Sequence, residues 1–249
     1  MRLYAGSSGF SFTEWKGSFY PTDLPQRSFL AHYAARLDAV ELNNTFYRMP
    51  KPELLAGWAG QVPEQFRFAL KAPAHISCRI RPASGAGAMA ELWRAVRALG
   101  SRLGPVLFQL PPELPIDLER LAALIALVPA GMRAAFELRH ESWRDPAVHA
   151  ALRAAGAALC ITDMPERGEP PVVATADFGY LRLRRARYPK AKLEIWRDRM
   201  RAAGWGECYV FFRHEDTAAA PRLARRLVAA FAAHDAAPPV ARESGAAWR

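Results

Sequence analysis

Short apolar runs alternate with longer amphipathic segments along most of this 249-residue chain, and no other feature limits the fold as strongly. The short runs have the length and residue types of buried β-strands. They lie at eight places: 2–6, 39–44, 66–72, 105–112, 132–140, 157–163, 179–184 and 208–214. The segments between them have helical spacing and lie at 28–37, 52–60, 87–104, 116–128, 145–156, 191–204 and 220–234.

Strands that alternate with helices form a parallel sheet, and eight such units in about 250 residues are typical of a closed barrel. We therefore predict an α/β fold, a TIM-type (β/α)8 barrel, in a single domain over residues 1–234, followed by a flexible tail at 235–249. The unit between strands six and seven is irregular, because its Pro and Gly residues interrupt any full helix. An open doubly wound sheet is the alternative, although the chain has no GxGxxG or GxxxxGK[ST] loop.

Local signals predict where several helices begin and end. Ser28 and Asp117 are candidate N-caps, because a side-chain oxygen at that position accepts a hydrogen bond from the first helical turn. The pair Asp145-Pro146 is typical of a helix start, and Gly156 is typical of a helix end.

Cysteine content and hydropathy indicate the compartment. The first ten residues lack the apolar core of a secretory signal, and no apolar run approaches the roughly 18 residues that span a membrane. The three cysteines, Cys78, Cys160 and Cys208, are odd in number and show no CxxC spacing. We expect free thiols, no membrane association and a cytoplasmic location.

The formal net charge is +10, and such a balance is typical of proteins that bind nucleic acid, anionic membranes or acidic ligands. The basic residues are mostly Arg, they are scattered without a run of five or six, and they accompany many alanines. A GC-rich coding sequence produces this pairing without selection for binding. Nucleic-acid binding or processing therefore stays an alternative and not the favoured function.

Polar side chains lie at the carboxyl ends of the predicted strands, where a (β/α)8 barrel carries its active site. From the second strand to the eighth they are Glu41 and Asn43, Lys71, Gln109, Glu137 with Arg139 and His140, Asp163, Arg182 with Arg184, and Arg213 with His214. Buried polar groups must pair with one another, with water or with a ligand, because each unpaired group costs about 1–3 kcal/mol. The sequence thus predicts a ring of polar groups around the barrel mouth.

Four of these residues are candidate catalytic groups, namely Glu41, Lys71, Glu137 and Asp163, and the others are candidates for substrate binding. A lysine in a partly apolar mouth has a lowered pKa and can act as a base or as a Schiff-base amine. The three arginines on the adjacent strands seven and eight predict a cationic sector, since the planar Arg fork matches a carboxylate or a phosphate.

Structural roles are the alternative for several of them. Glu137 and Arg139 lie on one strand face and can form an internal ion pair. Lys71 can pair with Glu41 or Glu137, and His140 can cap a loop. Arg182 and Arg184 can pair with Glu137 and Asp163, which would leave no cation for a ligand. The aromatic stretch at 10–21 can be a packed lid over the mouth.

No cofactor is predicted, and a divalent metal stays open as an alternative. The acceptable ligand types are present in Glu137, His140, Asp163 and His214. No compact ligand motif supports such a site, so metal ligands are not assigned.

Five longer stretches carry a family resemblance: GSSGFSFTEWKGSFYP, VELNNTFYRMP, FRFALKAPAHIS, LGPVLFQLPP and AFELRHESW. In this order they resemble domain-of-unknown-function family 72, also called the YecE-like family. The resemblance runs from about Leu3 to Asp163 and continues more weakly through GYLRLRRARYP and CYVFFRHEDTAAAPRLARRL. It implies a TIM-barrel-like fold and a site at the barrel mouth, but no reaction.

Two departures from the family pattern add positive charge on neighbouring strands. Where the family usually reads Arg-Leu-His-Gly, this chain reads Arg182-Leu183-Arg184-Arg185. Where it usually reads Phe-Asn-Asn, this chain reads Phe212-Arg213-His214. Ligand contacts that the usual His or Asn makes are therefore not carried over to this chain.

Three classes of function are compatible with these patterns. We favour a small-molecule enzyme, or a barrel without activity, that binds a polar, anionic metabolite at the strand ends; a reaction there is expected to be of acid–base or hydrolytic type. The alternatives are a nucleic-acid-processing protein and a non-catalytic interaction scaffold. Fold alone does not separate the three.

Overall fold

The computed structural model describes residues 1–79, 85–213 and 217–235. Within them, eight parallel strands close into a barrel in which each strand pairs with the next and β8 pairs with β1. The strands are β1 Arg2–Ser7, β2 Ala39–Leu42, β3 Arg67–Lys71, β4 Leu103–Gln109, β5 Ala134–Glu137, β6 Ala158–Asp163, β7 Phe178–Leu183 and β8 Glu207–Phe212. The predicted TIM-type barrel is confirmed, and the alternative prediction of an open doubly wound sheet is wrong.

Eight α-helices accompany the strands in the described ranges: α1 Phe29–Ala34, α2 Pro52–Ala59, α3 Ala74–Arg79, α4 Ala86–Val96, α5 Leu118–Ala126, α6 Pro146–Ala154, α7 Lys190–Ala202 and α8 Ala219–Asp235. The short α3 was not predicted, and the predicted helix at 87–104 is α4 followed by a 3-10 segment. The chain between β6 and β7 contains no helix, as expected. The predicted tail beyond residue 235 lies outside the described residues.

The helix caps agree with the sequence in two of three cases. The Asp117 side chain accepts from the backbone N–H of Arg120 at 2.9 Å, and the Asp145 side chain accepts from that of Ala147 at 2.7 Å. Ser28 makes no such bond, because it ends a 3-10 turn that runs directly into α1. The prediction of Ser28 as a cap is therefore wrong.

Side chains alternate between two cores along each strand. One set fills the barrel interior: Tyr4, Ala39, Ala69, Leu107, Ala135, Ala158, Cys160, Phe178, Tyr180, Tyr209 and Phe211. The opposite set, with Val40 and Leu70 among it, packs in the larger core that includes the helices. Stepping two residues from the interior set along β2 to β8 leads to Glu41, Lys71, Gln109, Glu137, Thr162, Arg182 and Arg213. Two such steps from Tyr4 along β1 lead to Ser8. The barrel mouth is therefore built by the same alternation that builds the interior.

A close approach between β1 and β2 fixes the first strand end. A Cβ on Gly6 would lie 1.8 Å from the carbonyl oxygen of Ala39, so only glycine fits there. The Tyr33 hydroxyl donates to that same oxygen at 3.0 Å and accepts from the N–H of Ser7 at 2.8 Å. This contact holds the start of the β1–α1 loop against β2.

The predictions on cysteine and membrane segments can also be compared with the fold. Cys78, Cys160 and Cys208 are free thiols, as expected. In the part of the chain that the structure describes, every helix is too short or too polar to cross a bilayer.

Candidate functional site

Glu41 lies at the centre of the barrel mouth and is fully buried. Its Oε1 accepts from the Ser8 hydroxyl at 2.7 Å, from Arg182 Nη2 at 2.9 Å and from Arg184 Nη2 at 3.3 Å. Its Oε2 accepts from the Tyr180 hydroxyl at 2.9 Å. Both oxygens of this carboxylate are thus engaged by the protein itself.

Glu137 is the second buried carboxylate. Its Oε2 accepts from Arg182 Nη1 at 2.6 Å and from Gln109 Nε2 at 2.7 Å, and its Oε1 accepts from the Thr162 hydroxyl at 3.3 Å. Burial opposes ionisation, but the charge and hydrogen bond of Arg182, with Arg139 and Gln109, outweigh it and lower the pKa of Glu137. Glu137 is therefore an ionised, structurally paired group.

Arg182 joins the two carboxylates. Its side chain is 7% exposed and bridges Glu41 and Glu137 with one terminal nitrogen on each. Burial disfavours its charge, but the two carboxylates raise the pKa of Arg182 above its already high usual value. One guanidinium between two acids makes a buried, hydrogen-bonded floor to the mouth.

A cleft of about 400 Å³ lies above this floor. We call it the cationic cleft; it is lined by Asn43, Tyr47, Lys71, Gln109, Glu137, Arg139, Thr162, Met164, Arg182, Arg184 and Arg213. Five of these side chains are cationic, against Glu137 in the lining and Glu41 beneath it. With all groups charged the excess is three positive charges. The volume is in the range of small-molecule sites.

Lys71 has no ion-pair or hydrogen-bond partner for its amine in the described chain. Its Nζ lies 3.6 Å from the ring centroid of Phe46, an energetically favourable place for a cation. Burial, and then the charge of Arg182, lower the pKa of Lys71 to about 8, while Glu137 and Glu41 act in the opposite direction. The alternative in which Lys71 forms an ion pair with Glu41 or Glu137 is therefore wrong.

Asp163 does not join the cleft, and its prediction as a mouth residue is wrong. It shares the strand face of Ile161, which packs in the outer core, and is fully buried there. Its carboxylate accepts from Arg185 Nε at 2.7 Å and from the Tyr188 hydroxyl at 2.9 Å. Thr162, one residue earlier, faces the cleft in its place.

The other predicted groups separate into those in the cleft and those outside it. Asn43, Gln109, Arg139, Arg182, Arg184 and Arg213 all line it. His140 instead caps a short turn, since its Nδ1 accepts from the N–H of Ser142. His214 lies outside the described residues. Glu137 pairs with Arg182 and not, as an internal ion pair, with Arg139.

The alternative metal site does not assemble from its described members. Glu137 contacts Arg182, His140 contacts Ser142, and Asp163 contacts Arg185. Across residues 1–79, 85–213 and 217–235, no group of three or more His, Cys, Asp or Glu side chains could hold a metal ion.

Sequence reasoning missed five residues of the mouth, among them Met164, which follows β6. Ser8 and Tyr180 bind Glu41, and Thr162 binds Glu137. The period-2 pattern could have identified these three, because each continues the inward face of its strand. Tyr47 follows β2 in an irregular turn and is 86% exposed, so no periodicity indicates it.

A second cavity of about 750 Å³ adjoins the cationic cleft. We call it the aromatic pocket; its lining includes Ser8, Gly9, Phe10, Ser11, Phe12, Gln26, Arg27, Leu30, Leu42, Asn43, Asn44, Tyr47, Trp58 and Gln61. The rest of the predicted aromatic lid is packed: Trp15 is fully buried, and Tyr20 stacks on Phe29 with ring centroids 4.0 Å apart.

The sequence profile of the family described as "Protein of unknown function DUF72" matches residues 4–245. The chain belongs to this family. The chain is also similar to UPF0759 protein YecE of Escherichia coli, with 32% identity over 112 residues, and to UPF0759 protein YunF of Bacillus subtilis, with 25% identity over 194 residues. The matches cover 45% and 70% of this chain, and 41% and 66% of YecE and YunF.

Solved DUF72 structures have the same fold. A DUF72 family protein of Enterococcus faecalis superposes with a TM-score of 0.78 at 22% identity, over 92% of this chain and 95% of its own. A DUF72 family protein of Thermotoga maritima superposes with a TM-score of 0.75 at 25% identity, over 94% and 99%. The predicted family and barrel are therefore confirmed by both sequence and structure.

Proposed function

We propose that the cationic cleft binds a small organic anion through a carboxylate or phosphate group. The observation that carries this proposal is the excess of positive charge above an already paired floor. The carboxylates of Glu41 and Glu137 already accept hydrogen bonds from neighbouring side chains of the mouth. Within the described residues, Lys71 and Arg139 therefore line the cleft without an acid at ion-pair distance.

The outer cations are suited to the role. The guanidinium of Arg139 and the amine of Lys71 make no hydrogen bond within the described chain, although both line the cleft. Arg184 is held by Ser8 at 3.0 Å and by Glu41, so its position is set before a ligand arrives. Such preorganisation lowers the entropy cost of binding. Charge-assisted hydrogen bonds from Arg to an anion are also stronger than neutral ones.

Lys71 is the group to which we assign any reaction. With a pKa of about 8, roughly a tenth of its amine is neutral at pH 7, and a neutral amine is both a base and a nucleophile. Glu41 and Glu137 are then positioning residues that hold the arginines, not acids or bases. Asp163, which is paired with Arg185 on the outer strand face, has no role in this proposal.

Titration calorimetry at low ionic strength tests the proposal with inorganic phosphate and with malonate. Arg139→Gln is expected to weaken the binding of phosphate and of malonate by about tenfold, because one charge-assisted hydrogen bond usually contributes about that much to affinity. The matched control is Arg94→Gln, an exposed arginine on α4 that does not line the cleft. Equal affinities in the two variants would contradict the proposal.

Two further outcomes would favour the alternatives. Tight, salt-sensitive binding of duplex DNA or RNA, with no response to phosphate or malonate, would favour the nucleic-acid hypothesis. The absence of any heat with anions and nucleic acid would favour a non-catalytic scaffold.

A further inference from the structure

The aromatic pocket and the cationic cleft share one wall. Asn43 and Tyr47 line both cavities. They follow β2, where Glu41 faces the floor of the mouth and the chain turns through Asn44–Phe46. Thr45 holds this turn by donating to the carbonyl oxygens of Leu42 at 2.9 Å and Lys71 at 2.7 Å. A ligand that reaches past Asn43 from one cavity therefore enters the other.

The walls of the aromatic pocket are flat and apolar. Phe10 and Trp58 meet edge to face with centroids 5.8 Å apart, and Phe12 and Leu30 continue the surface. Tyr47 stands at the shared wall with 86% of its surface exposed. Aromatic rings gain from stacking with another ring beyond the gain from buried area alone.

Uncharged polar groups edge the same pocket. Asn44 makes no side-chain hydrogen bond within the described residues, and the Asn43 amide uses only its oxygen, which accepts from Arg182 at 3.4 Å. Gln61 and Gln26 donate one bond each, to Gly57 and Ser11. Such amides offer donors and acceptors to the edge of a polar ring. A pocket of this composition orients a ligand by a few polar groups while apolar walls provide the affinity.

A glycine keeps the pocket open on the β1 side. Gly9 has a φ of 108°, and a Cβ there would lie 2.7 Å from the Phe12 ring. The Phe12 ring therefore packs directly against the backbone and forms a wall of the pocket. The packed residues Trp15 and Tyr20 support the same loop from behind.

We propose that the aromatic pocket binds the ring of an organic anion whose charged group occupies the cationic cleft. This inference rests on the proposed function and adds a substrate class to it: a carboxylate or phosphate compound that carries a flat, polar ring. Continuity through Asn43 and Tyr47 supports one ligand in place of two. The Tyr47 ring supports stacking, since most of its surface is exposed beside an edge-to-face contact with Phe46, whose ring centroid lies 5.4 Å away.

The test compares methyl phosphate, phenyl phosphate and 2-naphthyl phosphate by titration calorimetry. In the wild type the two aryl compounds are expected to bind at least about tenfold more tightly than methyl phosphate. The ratio of 2-naphthyl to methyl phosphate affinity is expected to fall towards one in Tyr47→Ala and in Trp58→Leu. Tyr47 is exposed, so Tyr47→Ala is expected to fold.

Two controls accompany these variants. Tyr47→Phe keeps the ring and is expected to keep the ratio. Leu118→Ala removes an exposed apolar side chain on α5, outside both cavities, and is also expected to keep it.

The outcomes distinguish this inference from the proposed function. Binding of methyl phosphate with no gain from the aryl group would overturn the inference and leave the cationic cleft as an anion site. An aryl gain that survives both Tyr47→Ala and Trp58→Leu would place the ring elsewhere and overturn it too. No binding of any of the three compounds would overturn both.

Discussion

Arg182 is the residue on which the charge balance of the barrel mouth depends. It is the shared partner of two buried carboxylates, so its removal leaves Glu41 and Glu137 facing each other with fewer donors. Breaking a buried ion pair in this way typically costs about 3–5 kcal/mol. We expect Arg182→Met to lower the free energy of unfolding by that amount in urea denaturation.

Arg139→Met is the matched control for this prediction. Arg139 lines the same cleft but has no carboxylate within ion-pair distance in the described chain, so its loss strands no acid. Its effect on the free energy of unfolding is expected to stay within about 0.5 kcal/mol, or to be favourable because repulsion falls. Similar losses of unfolding free energy in Arg182→Met and Arg139→Met would contradict the structural role of Arg182 as the shared partner of two buried acids.

The lowered pKa of Lys71 predicts how the free energy of unfolding depends on pH. Its pKa is about 8 in the folded protein against an ordinary value of 10.5, so between these values the unfolded chain binds more protons at this site. The contribution of Lys71 to stability therefore rises with pH across that window. The difference in unfolding free energy between wild type and Lys71→Met is expected to shift in favour of the wild type from pH 8 to 10.

Acylation kinetics give a second readout for the same residue. The rate of Lys71 acylation, followed by peptide mass spectrometry, is expected to have its midpoint near pH 8. The exposed Lys190 serves as an internal control. A Lys71 midpoint that coincides with that of Lys190 would contradict the lowered pKa.

The wrong prediction for Asp163 could have been avoided from the sequence, because the period-2 pattern of β6 contradicts it. Ala158, Cys160 and Thr162 are spaced two residues apart and share one face of the strand, whereas Asp163 lies on the other face. The strand-end position alone suggested a mouth residue, but the period-2 pattern places it outside. The pairing of Arg182 with Glu137 was among the alternatives raised from the sequence, and the structure shows it. The second pairing, with Glu41 of strand two, was not predicted, because it depends on side-chain reach across the barrel.

At the scale of single elements, the helix starts are the parts that local chemistry determines best. Asp117 and Asp145 form caps as predicted, because the bond involves neighbours in the chain. Asp145→Ala is expected to lower the free energy of unfolding by about 1 kcal/mol in chemical denaturation. Ser28→Ala is the control with an expected effect near zero, and an equal loss there would contradict the assignment.

The loop after β1 is an element that tertiary contacts determine. Gly9→Ala is expected to destabilise by about 1–3 kcal/mol, because φ is positive and the added Cβ meets the Phe12 ring. Gly17 is the matched control: its φ is 78°, but a Cβ there meets only Thr22 at 3.6 Å. Gly9→Ala should therefore lower the melting temperature more than Gly17→Ala does. The reverse order would contradict the packed position of Phe12.

The elements missed from the sequence are short and depend on their surroundings. Helix α3 has six residues, and the 3-10 turn after β2 is held by Thr45 bonds to Leu42 and Lys71. Lys71 is far away in sequence, so no local pattern predicts the turn. The exposed position of Tyr47 follows from this turn. The aromatic pocket, which Tyr47 lines, was therefore not predictable from local sequence either.

At the scale of the whole molecule, chain-wide alternation was enough to predict the closed barrel, since eight strand–helix units of this length leave few other arrangements. Net charge was a weaker guide. The formal value of +10 is spread along the chain, yet five cations converge on one cleft because their strands end together. Convergence of this kind is a property of topology and is not visible in composition.

Ligand binding at that cleft should stabilise the entire fold, because an anion that binds only the folded chain shifts the unfolding equilibrium. At about 100 times its dissociation constant, phosphate is expected to add about 2.7 kcal/mol to the free energy of unfolding. Sodium chloride at equal ionic strength controls for screening. The phosphate increment is expected to shrink in Arg139→Gln and, as Lys71 loses its proton, above pH 8. An increment that chloride reproduces, or that is unchanged by Arg139→Gln and by pH, would assign the effect to the general positive charge of the chain and not to the cleft.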